Sequence, residues 1–315
     1  MRKLLVMLAV GLFIGGNAWA GNVDTYGIGC KAGALGGAFT AYADDPFAAY
    51  YNPAGLTQME SATVSAGFML IDPDLQAKNY QVENENGVPN YPDYGPVDFS
   101  DESPSLVVPH VGFAMPINEK WSAGVALYVP FGLHLEWDDT PDPVKNPGAF
   151  NSYESWYARE VVTPSLAYKV NDKFSVGAGI SLGKSMAGKN FWSHDIYTFT
   201  VPFGGPVTAA EEVDIEDDFN YSFNVGLMYK PIEELTFGLT YRSKADVDLE
   251  GELELTDLTS SEITTLNTAL GNLGKPSISR TTYDVEVNDL DTPDQIQFGA
   301  RYVFHDRVSV EADLV

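Results

Sequence analysis

The chain carries a single cysteine, Cys30, and four scattered histidines, His110, His134, His194 and His305. One thiol builds no intrachain disulfide. The histidines stand apart and no GxSxG turn occurs, so the nucleophile, base and orienting acid of a hydrolase are not assembled and the chain does not read as an enzyme. Basic residues are few: 18 Lys and Arg face 44 Asp and Glu, a formal net charge of −26, which repels phosphates and excludes nucleic acid as a partner. Beyond residue 20 no apolar run approaches the roughly 20 residues of a membrane-spanning helix. A chain of this kind crosses a bilayer only as a β-barrel, which pairs every backbone group within itself.

What is present begins with a leader. Arg2 and Lys3 precede an apolar run from Leu4 to Ile14, and Ala18-Trp19-Ala20 forms an A-x-A cleavage site. Residues 1–20 therefore read as a secretory signal peptide, with a mature chain starting at Gly21.

From Asp24 to Met59 the sequence is DTYGIGCKAGALGGAFTAYADDPFAAYYNPAGLTQM, rich in Gly and Ala and studded with aromatics. Small residues let backbone approach backbone, so residues 21–60 are expected to form a compact plug. Gly27, Gly29 and Ala32 spell GxGxxA, but a dinucleotide loop needs a strand before it and a βαβ unit around it, and neither pattern is there. Asn52 favours a turn into Pro53. Asp44-Asp45 reads as turn or capping chemistry, not as a catalytic acid pair.

From Ser61 onward apolar and small or polar residues alternate, the two-residue period of a strand. In 121–131 the odd positions, from Trp121 through Leu127 to Phe131, are apolar and expected outside, while Ser122, Gly124 and Ala126 face the other way. Phe219 to Tyr229 and Leu235 to Arg242 repeat the split, and weaker copies lie at 61–71, 105–116, 156–170, 173–186, 293–304 and 307–315, about nine strands in all. Short turns at Ile117–Lys120, Asn171-Asp172, Pro231–Glu234 and His305–Arg307 alternate with long connections at about 72–104, 132–155, 187–216 and 253–280. Loops sorted by length in this way mark an outer-membrane barrel and not a soluble sandwich. The predicted fold is all-β: a transmembrane antiparallel β-barrel over residues 61–315 with the N-terminal plug inside it.

Many acids fall in the expected loops, among them Glu83, Glu85, Asp93, Asp98, Asp101, Glu102, Glu211, Glu212, Asp214, Glu216, Asp217 and Asp218. They read as a solvated face. A calcium or magnesium ion is the other reading of clustered carboxylates, without EF-hand spacing to support it. In the last long connection Thr259 and Glu262 form a capping box, and Ile263, Leu266, Leu270 and Leu273 share one face of a helix. That stripe is expected either to pack on the barrel rim or to wall an apolar groove. The sequence ends within a strand pattern, Val308 to Val315, and an odd strand count implies a barrel continued beyond residue 315.

The segments GALGGAFTAYADDPFAAYYNPAGL, PSLVVPHVGFAMPINEKWSAGVALYVPFGL, VVTPSLAYKVNDKFSVGAGISLG, VGLMYKPIEELTFGLTYRS and TPDQIQFGARYVF together resemble the FadL/TodX (OMPP1) family of outer-membrane transporters for long-chain fatty acids and other hydrophobic compounds. The resemblance implies a fourteen-stranded barrel with an N-terminal hatch, of which about nine strands are present. It implies passive uptake by a monomer among outer-membrane lipid and lipopolysaccharide, without a cofactor or metal. The ligands implied are fatty acids or aromatic hydrocarbons, caught between extracellular loops and released sideways through a gap in the wall. Asn52, Pro53 and Ala54 match the end of the hatch motif. Pro130, Phe131 and Gly132 lie in the third predicted strand, where Pro removes a ladder donor and Gly weakens the strand, the chemistry of a lateral gap. A strand end at the membrane surface is the plainer reading of the same residues.

Alternation places Arg159, Arg242 and Arg301 toward the lumen, where a guanidinium binds a carboxylate in two-pronged fashion. Pairing with lumenal acids such as Glu311 or Asp246 is the expectation for them, with ligand binding as the functional alternative. Phe39, Phe47, Tyr50 and Tyr51 are candidates to touch an acyl chain, with packing between plug and wall as the simpler role. A surface adhesin or receptor is the competing function.

Overall fold

A computed structural model describes residues 27–83, 95–142, 144–192, 209–258, 260–272, 277, 281–305 and 308–315. The expected signal peptide, and with it Glu85, Asp93 and His194, lies outside them.

Among the described residues thirteen strands occur: β1 (Thr63–Ile71), β2 (Gln76–Tyr80), β3 (Val97–Ser100), β4 (Leu106–Pro116), β5 (Trp121–Glu136), β6 (Glu154–Asn171), β7 (Phe174–Trp192), β8 (Ala210–Ile232), β9 (Leu235–Arg242), β10 (Leu249–Thr256), β11 (Thr282–Val287), β12 (Gln295–His305) and β13 (Val308–Leu314). Nine of them follow one antiparallel path, β1-β4-β5-β6-β7-β8-β9-β12-β13, open between β1 and β13. The alternation seen in the sequence decides which way each side chain points. Val64, Phe68, Tyr221 and Ile296 are all more than 60% exposed on the outer face, while Ser122, Ala126, Ser222, Asn224 and Thr240 are buried on the inner one. A water-soluble sheet does not leave such a band bare; a wall facing lipid does.

Two expectations need correction. The acids of 211–218 are not in a loop: β6, β7 and β8 run for 18, 19 and 23 residues, and β8 begins at Ala210. Val213 and Ile215 alternate with those acids and pack, with Ala187 and Val285, against buried Ala245, Val247 and Leu249, which gives the acidic segment an apolar face to bury. The β10–β11 hairpin lies along it, with Gly251 opposite Ile215. The second correction concerns Phe131, expected outside. The β5–β6 register shifts between Tyr128 and Phe131, and Phe131 is buried at 8% exposure. A shift of this kind turns the following side chains to the opposite face.

The segment before β1 folds as short helices α1 (Cys30–Ala34) and α2 (Ala48–Tyr51) and a 3₁₀ turn, Pro53–Gln58. Asn52 is extended, its side-chain oxygen accepts from the Ala54 N–H, and Pro53 takes the first helical position, where it has no donor to lose. Phe39, Phe47, Tyr51 and Leu56 form the centre of the main apolar core, completed from the wall by Ala114, Ala126, Tyr128, Val161, Ala167 and Met228. A third helix, α3 (Ser260–Asn272), occupies the predicted place. Its Ile263 is half-buried. Thr259 and Leu273, and the side chains of Glu262, Leu266 and Leu270, lie outside the described residues.

Candidate functional site: the hatch and the inner cleft

Residues 39–56 are bound to the wall at both polar ends of their backbone. On one side Asp313 Oδ2 accepts from the N–H groups of Phe39 and Thr40, at 3.0 and 2.9 Å, and Glu311 Oε1 accepts from those of Ala41 and Tyr42, at 2.8 and 3.1 Å. On the other, wall donors reach segment carbonyls: Asn224 Nδ2 to Ala49 at 2.7 Å and Arg242 Nη2 to Tyr50 at 3.0 Å. Asn52, fully buried, donates to the carbonyls of Thr40 at 2.8 Å and of Leu227 in β8 at 3.0 Å. Its amide thus joins two parts of the segment to the wall.

The wall yields space where the segment touches it. A methyl group at Gly226 would collide with Asn52 Oδ1 and Pro53, and one at Gly177, its register partner, with the Pro53-Ala54 peptide. Gly238 and Gly299, also paired across strands, make the same allowance for Thr40 and Ala41. Close backbone approach is why these inner positions carry no side chain.

Beside the segment is a cleft lined by Tyr50, Tyr128, Phe131, Arg159, Arg242 and Gln295. Arg159, 3% exposed, donates through Nε to Asn220 Oδ1 at 2.7 Å, while its Nη2 is buried without a hydrogen-bond partner among the described residues. Arg242 bonds Gln295 and stacks its guanidinium 3.9 Å from the Tyr50 ring centre, and its Nε is likewise unmatched. Arg301 stacks 3.6 Å from the Tyr42 ring centre, opposite Glu311 in register. The expected pairing of these arginines with acids is not found: among the described residues no carboxylate lies within ion-pair distance of any of the three, and Asp246 pairs with Lys244. The acids nearest the hatch are engaged by its N–H groups instead.

The β4–β5 ladder runs from Pro116 opposite Ser122 to Val111 opposite Leu127 and goes no further among the described residues, while β4 stays paired to β1 as far as Leu106. Pro130 and Gly132 therefore follow the point where β5 leaves β4.

Against proteins of known kind, residues 12–315 match the family model described as outer membrane protein transport protein (OMPP1/FadL/TodX). The chain belongs to the OMPP1/FadL/TodX family. It is 25% identical over 256 residues to the long-chain fatty acid transport protein of Escherichia coli O6:H1, covering 75% of this chain and 52% of that one. Outer membrane protein P1 of Haemophilus influenzae is 28% identical over 234 residues, 66% of this chain and 50% of the relative. The chain thus spans about half the length of the curated relatives it matches. Its fold is that of a Pseudomonas aeruginosa FadL homologue (TM-score 0.74, 21% identity, 93% of this chain and 69% of that one) and of the Ralstonia pickettii toluene transporter TbuX (TM-score 0.63, 19% identity, 91% and 71%). It is accordingly an all-β outer-membrane barrel protein of Gram-negative type, and the family comprises transporters, not enzymes.

Within this FadL/TodX chain the predicted site residues divide. Arg159, Arg242, Tyr50 and Phe131 meet at the cleft with Pro130. Phe39, Phe47 and Tyr51 do not reach it; they are at most 3% exposed, with edge contacts from Phe39 to Tyr51 at 5.3 Å and from Phe47 to His110 at 5.1 Å. Arg301 stands apart, on the hatch's other flank. Sequence reading missed Asp313, Tyr128 and Asn220. Only Tyr128 had a signal, as a polar-tipped aromatic on the small-residue face of its strand.

Proposed function

We propose that the protein carries hydrophobic molecules passively through the outer membrane and that its inner cleft prefers those with a carboxylate head, long-chain fatty acids above all. The carrying observation is Arg159: a buried guanidinium whose Nη2 has no partner and which has no carboxylate at ion-pair distance among the described residues, on a cleft it shares with Tyr50, Tyr128 and Phe131. Burying such a charge unpaired is unfavourable, and an incoming carboxylate supplies the missing acceptor. The acyl chain adds about 0.8 kcal/mol for each CH₂ withdrawn from water. A neutral aromatic gains only the second contribution. The names of the relatives, fatty acid transport protein and toluene transporter, support both substrate classes.

In this reading the ligand is first caught beside α3, the element on which the sequence sets Ile263, Leu266 and Leu270 at helical spacing, with Leu273 following it. It leaves sideways where β5 parts from β4, beside Pro130, Phe131 and Gly132, with Asn52, Pro53 and Ala54 anchoring the hatch within the barrel. The protein acts as a monomer surrounded by lipid and lipopolysaccharide.

The test is uptake of labelled oleate and of toluene by cells with and without the gene, and with Arg159→Ala. The gene should speed both, and the substitution should slow oleate several-fold more than toluene. Equal uptake with and without the gene would end the transport reading, and equal slowing of both substrates would end the head-group role.

A further inference from the structure

We propose that His134, Glu136 and Glu154 form a binding site for a divalent transition-metal ion, zinc being the ion the ligand set suits best. The three side chains, all partly buried, present ligand atoms that lie within 4.8 Å of one another. His134 Nε2 is 3.2 Å from Glu136 Oε1 and 3.0 Å from Glu154 Oε1. Zinc bonds of roughly 2.0–2.1 Å in a tetrahedron set neighbouring ligand atoms about 3.3 Å apart, close to the two distances measured from the imidazole nitrogen, and three protein ligands leave the fourth position open.

The backbone explains why the trio is together. Glu136 on β5 is the register partner of Glu154 on β6, and His134 follows two residues along the same face of β5, opposite Trp156. Two carboxylates placed directly across a ladder repel each other, and a cation between them reverses the sign. One imidazole nitrogen facing two carboxylates meets only one of them with its proton, whereas a metal ion meets all three groups at once.

A support of the kind that metal ligands use is also present. Asn190 on β7, the next residue on the same rung, donates Nδ2 to Glu154 Oε2 at 2.7 Å and so fixes which oxygen faces His134. Its own Oδ1 is buried and has no hydrogen-bond partner among the described residues. The imidazole separates this site from the carboxylate rows on β8, β10 and β11, which carry oxygen alone: nitrogen with oxygen favours zinc or copper over calcium or magnesium. Bound there, an ion would cross-link β5 to β6 beyond the cleft, at the end of the sheet opposite the short turns. None of this depends on what the cleft transports.

The full-length protein, purified in detergent without a histidine tag and stripped of metal, is titrated with zinc against a chromogenic chelator. One zinc should bind at micromolar concentration or below, at least tenfold more weakly in His134→Ala and in Glu154→Gln, with calcium in equal amount failing to displace it. Zinc should also shield His134 from acylation by diethylpyrocarbonate, read by mass spectrometry on the unsubstituted protein, a result independent of whether either variant folds. Binding only at millimolar zinc, affinity unchanged by His134→Ala, displacement by equal calcium, or an unshielded His134 would each overturn the site.

Discussion

Asp313 Oδ2 lies 2.9 Å from the backbone nitrogen of Thr40, a bond that spans 273 positions of sequence and fastens the hatch to β13. The same oxygen serves Phe39, and Glu311 serves the next two N–H groups, so four consecutive hatch donors end on two carboxylates.

Hydrogen bonds to a charged acceptor contribute about 1.5–3 kcal/mol each, more than neutral ones. Asp313→Asn with Glu311→Gln keeps shape and removes charge. Amide exchange at residues 39–42 should then quicken at least tenfold while strand amides of β6 and β7 keep their rates. Unaltered exchange at the four amides would show that the carboxylates do not hold the hatch.

Gly226 supplies the second test of the same seam. An added methyl there meets Asn52 Oδ1 and Pro53, and overpacking of this sort costs about 1–3 kcal/mol. Gly226→Ala should make the hatch more readily cleaved by protease in detergent, and Gly95→Ala, where nothing among the described residues lies within 4 Å, should not. Equal protection in the two variants would contradict the close contact.

The exit route is tested at β5. Replacing Pro130 by Val and Gly132 by Ala restores a ladder donor and a stiffer backbone where β5 leaves β4. Oleate uptake should fall several-fold with the protein still folded and inserted. Normal uptake would discard release between β4 and β5.

Asp45 makes hatch stability depend on pH. Burial lifts its carboxyl from the ordinary 3.8 to about 6, with Asp44 pushing in the same direction and the Phe47 N–H bond and Lys31 opposing. Between those values the folded hatch holds a proton that the opened one has released, so stability is greatest below about pH 4 and declines as pH rises through 6. Allowing for solvent screening the swing is roughly 1–2 kcal/mol. Exchange-detected opening of residues 43–51 should be easier at pH 7.5 than at pH 5, and Asp45→Asn should flatten the difference. A flat profile in the unsubstituted protein would refute the shift.

The wall was legible because a strand has only two faces: the odd-numbered apolar positions from Phe219 to Tyr229 state their own orientation, and the nine-strand path follows. Residues 210–218 were misread because Glu211, Glu212, Asp214 and Glu216 outweigh Val213 and Ile215 in composition while leaving their period intact. Phe131 was misplaced because a register shift is invisible to a strict period of two. Asp313 gave no hint at all, since its partners are backbone N–H groups far away in sequence, and such groups look the same at every residue. Of the cleft, Arg159 and Arg242 were reached by counting along the strand, but their lack of acid partners required the hatch to be in place first.

The length of β8 carries its own consequence. At about 3.3 Å per residue, 23 residues extend for some 75 Å, whereas a hydrocarbon layer of roughly 30 Å takes up little more than half of that even on a steep slant. The remainder, braced by β7 and the β10–β11 hairpin, projects past the membrane layer as a stiff parapet. A binder raised against the folded protein and seated there should read a shape made from four separate stretches of chain, and a free peptide copied from residues 210–218 should be a poor imitation of it.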